Sequence, residues 1–214
     1  TDAGKTTITC GLLHLARQQG LTTAAHKPVA SGSELTAEGL RNRDALLLQQ
    51  ECYPPLAYDA VNPRAFAPAI APHVAARECG QTLAVADLLP PIHALHQQSA
   101  DFLLVEGAGG WRVPLSGDEC LSDLAVALNW PVILVVGVKL GSINHALLSA
   151  EAILRDGLKL AGWVANGIDP NMDRQRDTLD YLQQHMPAPC LGVVPHLPDA
   201  RAAQVAGYLQ LPRA

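Results

Sequence analysis

The sequence predicts an α/β fold in which a mostly parallel sheet carries helices on both faces. Short β-branched runs alternate with longer amphipathic stretches throughout the chain, the rhythm of strands joined by helical crossovers. The strand-like runs are nearly continuous in apolar residues, as expected of strands covered on both faces. A third observation is the N-terminal segment Thr1-Asp2-Ala3-Gly4-Lys5-Thr6-Thr7, which matches the second half of the phosphate-binding pattern G-x-x-x-x-G-K-[ST] that joins a strand to a helix.

Each element follows from local pattern. Apolar residues at helical spacing run from Ile8 to Ala16 and stop before Gly20, which predicts a helix over 6–19 with a glycine cap. Strands are predicted at 22–27, 102–106, 131–137, 160–166 and 190–194, and further helices at 36–50, 83–98, 122–128, 143–156 and 173–184. The stretch 53–72 contains Pro54, Pro55, Pro63, Pro68 and Pro72 without a sustained period, so it reads as a loop excursion. There is no internal repeat or flexible linker. One domain over 1–214 is therefore expected, with a core burying roughly 70% of the unfolded surface.

In folds of this kind a strand leads directly into the phosphate loop and lies inside the sheet. The expectation is that the first strand and the first half of the loop lie upstream of Thr1, making the domain N-terminally incomplete.

Composition narrows the function classes. The net charge is −5 and the pI is near 5.8, which gives no general attraction to nucleic acid or to an anionic membrane. The longest apolar run, Trp130–Val138, is far too short to span a bilayer. Five scattered cysteines with no C-x-x-C pair argue against a disulfide framework or a zinc site and fit a reducing, cytoplasmic setting. The eight histidines form no metal set.

Several groups carry the chemistry. Gly4 lets backbone amides close around a polyphosphate, Lys5 brings a mobile positive charge, and Thr6 offers a hydroxyl to magnesium. Asp44 and Glu106 add two carboxylates. Glu106 closes an apolar strand and precedes Gly107-Ala108-Gly109-Gly110, and carboxyl ends of parallel strands face the ligand crevice. Taken alone, Asp44 reads equally as a solvated partner of nearby arginines.

Lys27 in His26-Lys27-Pro28-Val29-Ala30-Ser31-Gly32-Ser33 reaches the same crevice end and would join Lys5 around a transferring phosphoryl group. A serine hydroxyl there can orient substrate. Where Gly137 leads into Lys139-Leu140-Gly141-Ser142-Ile143-Asn144, exposed amides at a helix start can bind a carboxylate or be capped in the ordinary way. Asn166 either reads an adenine edge or shapes a turn.

Together these motifs resemble the dethiobiotin synthetase family. The likeness covers nearly the whole chain: T-x-x-G-K-T at the start, H-K-P-V-A-S-G-S at 26–33, E-G-L-R-N-R-D-A at 38–45, V-N-P at 61–63 and A-P-H at 71–73. It continues through V-E-G-A-G-G-W at 105–111, P-V-I-L-V-V-G-V-K-L-G-S-I-N-H-A at 131–146 and G-W-V-A-N at 162–166. The V-E-G-A-G-G-W segment coupled to K-P-V-A-S-G is the most specific part.

The resemblance implies a three-layer P-loop NTPase fold and a cytosolic homodimeric cyclo-ligase. Such an enzyme takes 7,8-diaminononanoate, CO2 or bicarbonate, and Mg-ATP to dethiobiotin, ADP and phosphate. It implies magnesium at Thr6, Asp44 and Glu106, and Lys5 and Lys27 as catalytic cations. Nucleotide contacts would come from Asp2, Ala3, Gly4, Lys5, Thr6, Thr7 and Glu106, with Asn166 and Pro195-His196-Leu197 around the base. Ser31 would touch the diamine or carbamate, and Gly141, Ser142, Ile143 and Asn144 the substrate carboxylate. The chain departs from the family pattern at Asp2, where glutamate is frequent, and at His196, where some relatives carry tryptophan.

Two other classes compete. A P-loop amide ligase such as a cobyrinic acid amidase-synthetase needs a glutaminase segment or ammonia source, and the chain holds no such segment. A ParA- or MinD-like switch ATPase lacks the K-P-V-A-S-G segment.

Overall fold

A computed structural model describes residues 2–213; Thr1, the head of the partial loop motif, lies outside the described residues. In chain order the elements are α1 (Lys5–Gln18), β1 (Thr23–His26), β2 (Val29–Ala30), β3 (Glu34–Thr36), β4 (Gly39–Arg41), α2 (Arg43–Gln50), α3 (Tyr58–Val61), β5 (Arg64–Ala65) and α4 (Pro72–Glu78). There follow α5 (Val85–His96), β6 (Phe102–Val105), α6 (Leu121–Leu128), β7 (Val132–Val138), α7 (Ser142–Arg155), β8 (Leu160–Gly167), α8 (Gln175–His185), β9 (Cys190–Val194) and α9 (Ala202–Ala206). They divide into two compact units, one of residues 16–128 and one of 1–15 with 129–214.

In the unit of residues 16–128, β1 and β6 pair in parallel from Thr23↔Phe102 to His26↔Val105 without a slip. β1 is fully buried whereas β6 is half-buried along its length, because β6 is paired along one edge only among the described residues. Helices α2 and α3 pack on β1. Pro90 and Pro91 stand inside α5 and supply no N–H to the carbonyls one turn back. That helix is held instead by its buried face of Val85, Leu88, Ile92 and Leu95.

The helix expected over 36–50 begins later. Residues 34–41 form the antiparallel hairpin β3–β4, closed by the Thr36 hydroxyl donating to the Gly39 carbonyl at 2.8 Å. Gly39 has φ +101°, a conformation outside any helix and open mainly to glycine. The helix starts only after Asn42, whose side chain accepts from the Ala45 N–H as an N-cap. The proline-rich stretch also holds more than a loop, since it contains α3 and β5, and Pro72 occupies the first turn of α4.

In the other unit β7, β8 and β9 form a parallel sheet in that order. Trp163, Val164 and Ala165 on the central strand are wholly buried, and α7 packs on β7 and β8. Glycines allow close approaches that no larger residue permits. A Cβ on Gly137 would stand 2.9 Å from Ala3 Cα, and one on Gly167 would stand 2.9 Å from His196 N. Among the described residues no helix is long and apolar enough to cross a membrane.

Candidate active site

The in-phase register of β1 and β6 brings the next residue of each strand side by side. The Glu106 N–H continues the ladder onto the His26 carbonyl at 2.8 Å, so Lys27 and Glu106 are neighbours although 79 residues separate them in the chain. Lys27 Nζ donates to Glu106 Oε1 at 2.8 Å, with the two side chains only 6% and 3% exposed. Asp44, in the first turn of α2, brings Oδ2 to 3.8 Å from the same amine and is half exposed.

A buried lysine needs its charge met, because desolvation of both ions costs more than a poor geometry returns. Here two carboxylates meet it. The converse matters for metal binding: both acids converge on one positive centre. Carboxylate oxygens are ligands that a hard divalent cation takes, and Glu106 and Asp44 offer them close together. No group of three or more His, Cys, Asp or Glu among the described residues could hold a metal unaided, so a cation there needs hydroxyl, water or phosphate oxygens as well. The residues fit magnesium on those terms.

Ser31 follows β2 and holds its hydroxyl buried without a hydrogen-bond partner, as does Ser33. Both are oxygens in want of a ligand or water. Next to Lys27, His26 is wholly buried and its Nδ1 lies 2.8 Å from the Ala60 carbonyl, which makes Nδ1 the protonated nitrogen. Burial pushes its pKa below the usual imidazole value, with the Ala60 contact opposing the shift.

The other unit holds the loop. Asp2 has φ +58°, a left-handed conformation that a short aspartate tolerates better than most residues. Gly4 follows at φ +83°, and its carbonyl accepts the Ile8 N–H at 3.0 Å, opening α1. Lys5, Thr6 and Thr7 therefore form the first turn of a helix, where dipole and amides favour an anion. Asn166, at the carboxyl end of β8, donates from Nδ2 to the Ala3 carbonyl at 3.0 Å. A Cβ on Gly4 would collide with that same amide.

Beyond Asn166 lies a cavity of about 260 Å³ whose walls include Val138, Gly167, Leu179, Val194, Pro195 and Tyr208. Of the segment 195–197, Pro195 lines this cavity, His196 is exposed and Leu197 is half-buried.

At the start of α7, Gly141 adopts φ +89°. The Ser142 N–H is already used by the Lys139 carbonyl at 3.0 Å. The amides of Ile143 and Asn144 are the ones a first helical turn leaves without intrahelical partners. Beside them the Ser142 hydroxyl is buried with no partner, a second polar atom placed for an anion at this helix start.

Among the described residues no cysteine is in a disulfide, and burial pushes Cys52 up to about 11, so it is not a nucleophile at neutral pH. Residues that pattern reading did not single out are His26, Asn42, Tyr58 and Asn62. For Asn42 the signal was present, since an Asn immediately before a charged and then apolar helical run is an N-cap signature.

Comparison with known proteins places the chain. A family model described as an AAA domain matches residues 1–204. The ATP-dependent dethiobiotin synthetase BioD of Pseudomonas paraeruginosa is 63% identical over 211 residues, covering 99% of this chain and 92% of that protein. The protein of the same name in Pseudomonas aeruginosa matches at the same identity and coverage. That of Chromohalobacter salexigens is 54% identical over 224 residues, covering 99% and 94%. Among solved structures, chloroplast FtsY from Physcomitrella patens aligns at 16% identity with a TM-score of 0.46, over 96% of this chain and 61% of its own, a likeness too distant to inform the site. With a P-loop sequence, parallel α/β units and relatives at this identity over nearly its full length, the chain belongs to the ATP-dependent dethiobiotin synthetase family.

Proposed function

We propose that the chain carries out ATP-dependent ring closure of 7,8-diaminononanoate with CO2, giving dethiobiotin, ADP and phosphate through a carbamate. The observation that carries this reading is the buried Lys27–Glu106 pair with Asp44 beside it. It is a charge cluster without a covalent nucleophile, suited to activating an oxyanion by phosphorylation.

The chemistry runs in three steps. One substrate amine attacks CO2, forming a C–N bond and losing a proton to give a carbamate. A carbamate oxygen then attacks the γ-phosphorus of ATP and ADP leaves, producing a carbamic-phosphoric anhydride. The second amine attacks the carbonyl carbon and loses a proton, the C–O bond to phosphate breaks, phosphate leaves, and the ureido ring closes.

Thr6, Asp44 and Glu106 would supply the oxygen set for magnesium, and the ion would neutralise charge on the transferring phosphates. Lys5 and Lys27 stabilise the negative charge of carbamate and phosphoryl group. Asp2, Ala3, Gly4 and Thr7 complete the nucleotide loop with Lys5 and Thr6. Asn166 supports that loop at Ala3, and Pro195, His196 and Leu197 border the base beside the apolar cavity. Ser31, with its unpartnered hydroxyl, orients the reacting amine or carbamate. Gly141, Ser142, Ile143 and Asn144 receive the substrate carboxylate, supported by the buried Ser142 hydroxyl at the start of a 14-residue helix. The working unit is a homodimer in the cytoplasm.

Phosphate release provides the test. Release that requires both diamine and bicarbonate, with dethiobiotin formed in step, is the expected result. Turnover of ATP that ignores the diamine would overturn the proposal.

A further inference from the structure

Lys27 and Ser31 lie on one segment of a single unit and Asp44 on another, and one continuous set of hydrogen bonds running through a third segment, 58–62, ties them together. It begins at the lysine backbone. The Lys27 N–H donates to the Val61 carbonyl at 2.7 Å, and the Lys27 carbonyl accepts from Asn62 Nδ2 at 2.7 Å. Asn62 Oδ1 accepts the Tyr58 hydroxyl at 3.0 Å, and that hydroxyl accepts the Asn42 N–H at 2.7 Å. From there the path divides. Asn42 Nδ2 donates to the Ser31 carbonyl at 3.2 Å, while Asn42 Oδ1 caps α2 through the Ala45 N–H at 3.2 Å, one residue beyond Asp44.

Every bond in this relay has one possible direction. The backbone N–H of Asn42 can only donate, so the phenol must accept from it and pass its own proton to Asn62 Oδ1. That orients the Asn62 amide with its NH2 toward Lys27. Asn42, Tyr58 and Asn62 are all buried, and the Tyr58 ring also lies under the Arg41 guanidinium, 4.2 Å from its centroid. Apolar residues could fill the same volume without a relay, whereas a fully satisfied buried network specifies one geometry. The three ends of this one fall on the lysine, the serine and the N-terminus of the helix that carries the aspartate.

We infer that Asn42, Tyr58 and Asn62 are positioning residues that hold Asp44 and Ser31 in fixed placement relative to the Lys27 ammonium. The inference rests on the site reading given under Proposed function. Misplacement of about 1 Å in such a constellation costs on the order of 100-fold in rate, so a relay that fixes three segments matters to turnover and not only to folding.

Tyr58→Phe keeps the ring and removes the hydroxyl. The expected result is a kcat lowered about tenfold or more, a raised magnesium concentration for half-maximal rate, and a KM for ATP within about twofold of the parent, the split expected when transition-state interactions are lost. Asn42→Ser retains a good N-cap but loses the Nδ2 bond to Ser31. It should lower kcat/KM for the diamine even if Tyr58→Phe fails to fold. Ile92→Val, a core change in α5, controls for stability and should leave all three parameters alone. If both relay variants keep parental kcat, diamine kcat/KM and magnesium demand, the inference is overturned. Asp44→Asn and Glu106→Gln in the same assay separate the two levels. Full activity in those variants removes the site reading itself, while their failure beside normal relay variants removes only the positioning role. Tyr58→Phe added to Asp44→Asn should cost little more than Asp44→Asn alone, since both act on one unit.

Discussion

Asn166 and Ala3 are joined by a side-chain hydrogen bond of 3.0 Å across 163 residues of sequence. The asparagine amide at the end of β8 thus braces the loop that opens α1, and Gly4 is the residue that leaves room for it. Asn166→Ala should raise the KM for ATP about tenfold with a smaller effect on kcat, as expected when uniform binding is lost. Gly4→Ala should do worse, because it adds both a clash with Asn166 and a left-handed alanine costing roughly 1–2 kcal/mol. Nucleotide titration by calorimetry checks both. Parental ATP affinity in Gly4→Ala would show that the brace has no bearing on the loop.

The Lys27–Glu106 pair should behave differently in stability and in activity. Lys27→Ala removes the ammonium that meets the buried Glu106 carboxylate at 2.8 Å, a loss of about 3–5 kcal/mol, and depresses turnover more than ATP affinity. Glu106→Gln leaves the Lys27 ammonium with Asp44 at 3.8 Å; it should fold with a melting temperature lowered by less than in Lys27→Ala, because a carboxylate still faces the charge, and lose on the order of 100-fold or more in kcat. The double variant Lys27→Met/Glu106→Gln should regain much of the melting temperature and none of the turnover. Thermal melts beside steady-state assays read out each arm, and a fully active Glu106→Gln would remove that residue from the magnesium set.

A pH signature follows from His26. Its folded pKa lies below the usual value, so in acid the unfolded chain takes up the proton first. The associated stability is fully present above about pH 6.5 and falls as the pH drops from there through the folded value, by at most about 1.4 kcal/mol per pH unit for one proton. His26→Asn keeps a donor for the Ala60 carbonyl and removes the titration. Melting temperatures measured from pH 5 to 8 should therefore flatten in the variant, and an unchanged acid slope would assign the effect elsewhere.

Ser142 offers a test of carboxylate recognition. Ser142→Ala removes the unpartnered buried hydroxyl and should raise the KM for the diamine severalfold, with ATP affinity unchanged and the melting temperature equal or higher. An amine substrate lacking the carboxylate should be indifferent to the substitution. Equal sensitivity of both substrates would relocate the carboxylate.

The five main strands were legible because each is a compact apolar run that only a covered sheet can use. The glycine stop after α1 was legible for a related reason: Gly20 adopts φ +83°, where other residues are strained. The β3–β4 hairpin was not, since Leu35, Ala37 and Leu40 mimic helical spacing and only the positive φ of Gly39 overrides it. Short elements such as α3, β5 and α9 leave too few residues for any period to register. In the site, charged residues at strand ends announced themselves, whereas Tyr58 and Asn62 sit in a proline-rich stretch and acquire meaning only through partners distant in sequence.

The pairing of Lys27 with Glu106 is indexed by sheet register and not by any loop. The 79-residue separation can therefore absorb insertions at the tip of the β3–β4 hairpin while the two charges stay matched. A single residue added inside β6 would turn Glu106 to the opposite face. Length variation is harmless in one place and lethal a few residues away, and a deletion and insertion series across 99–106 would trace that boundary as an abrupt step in activity.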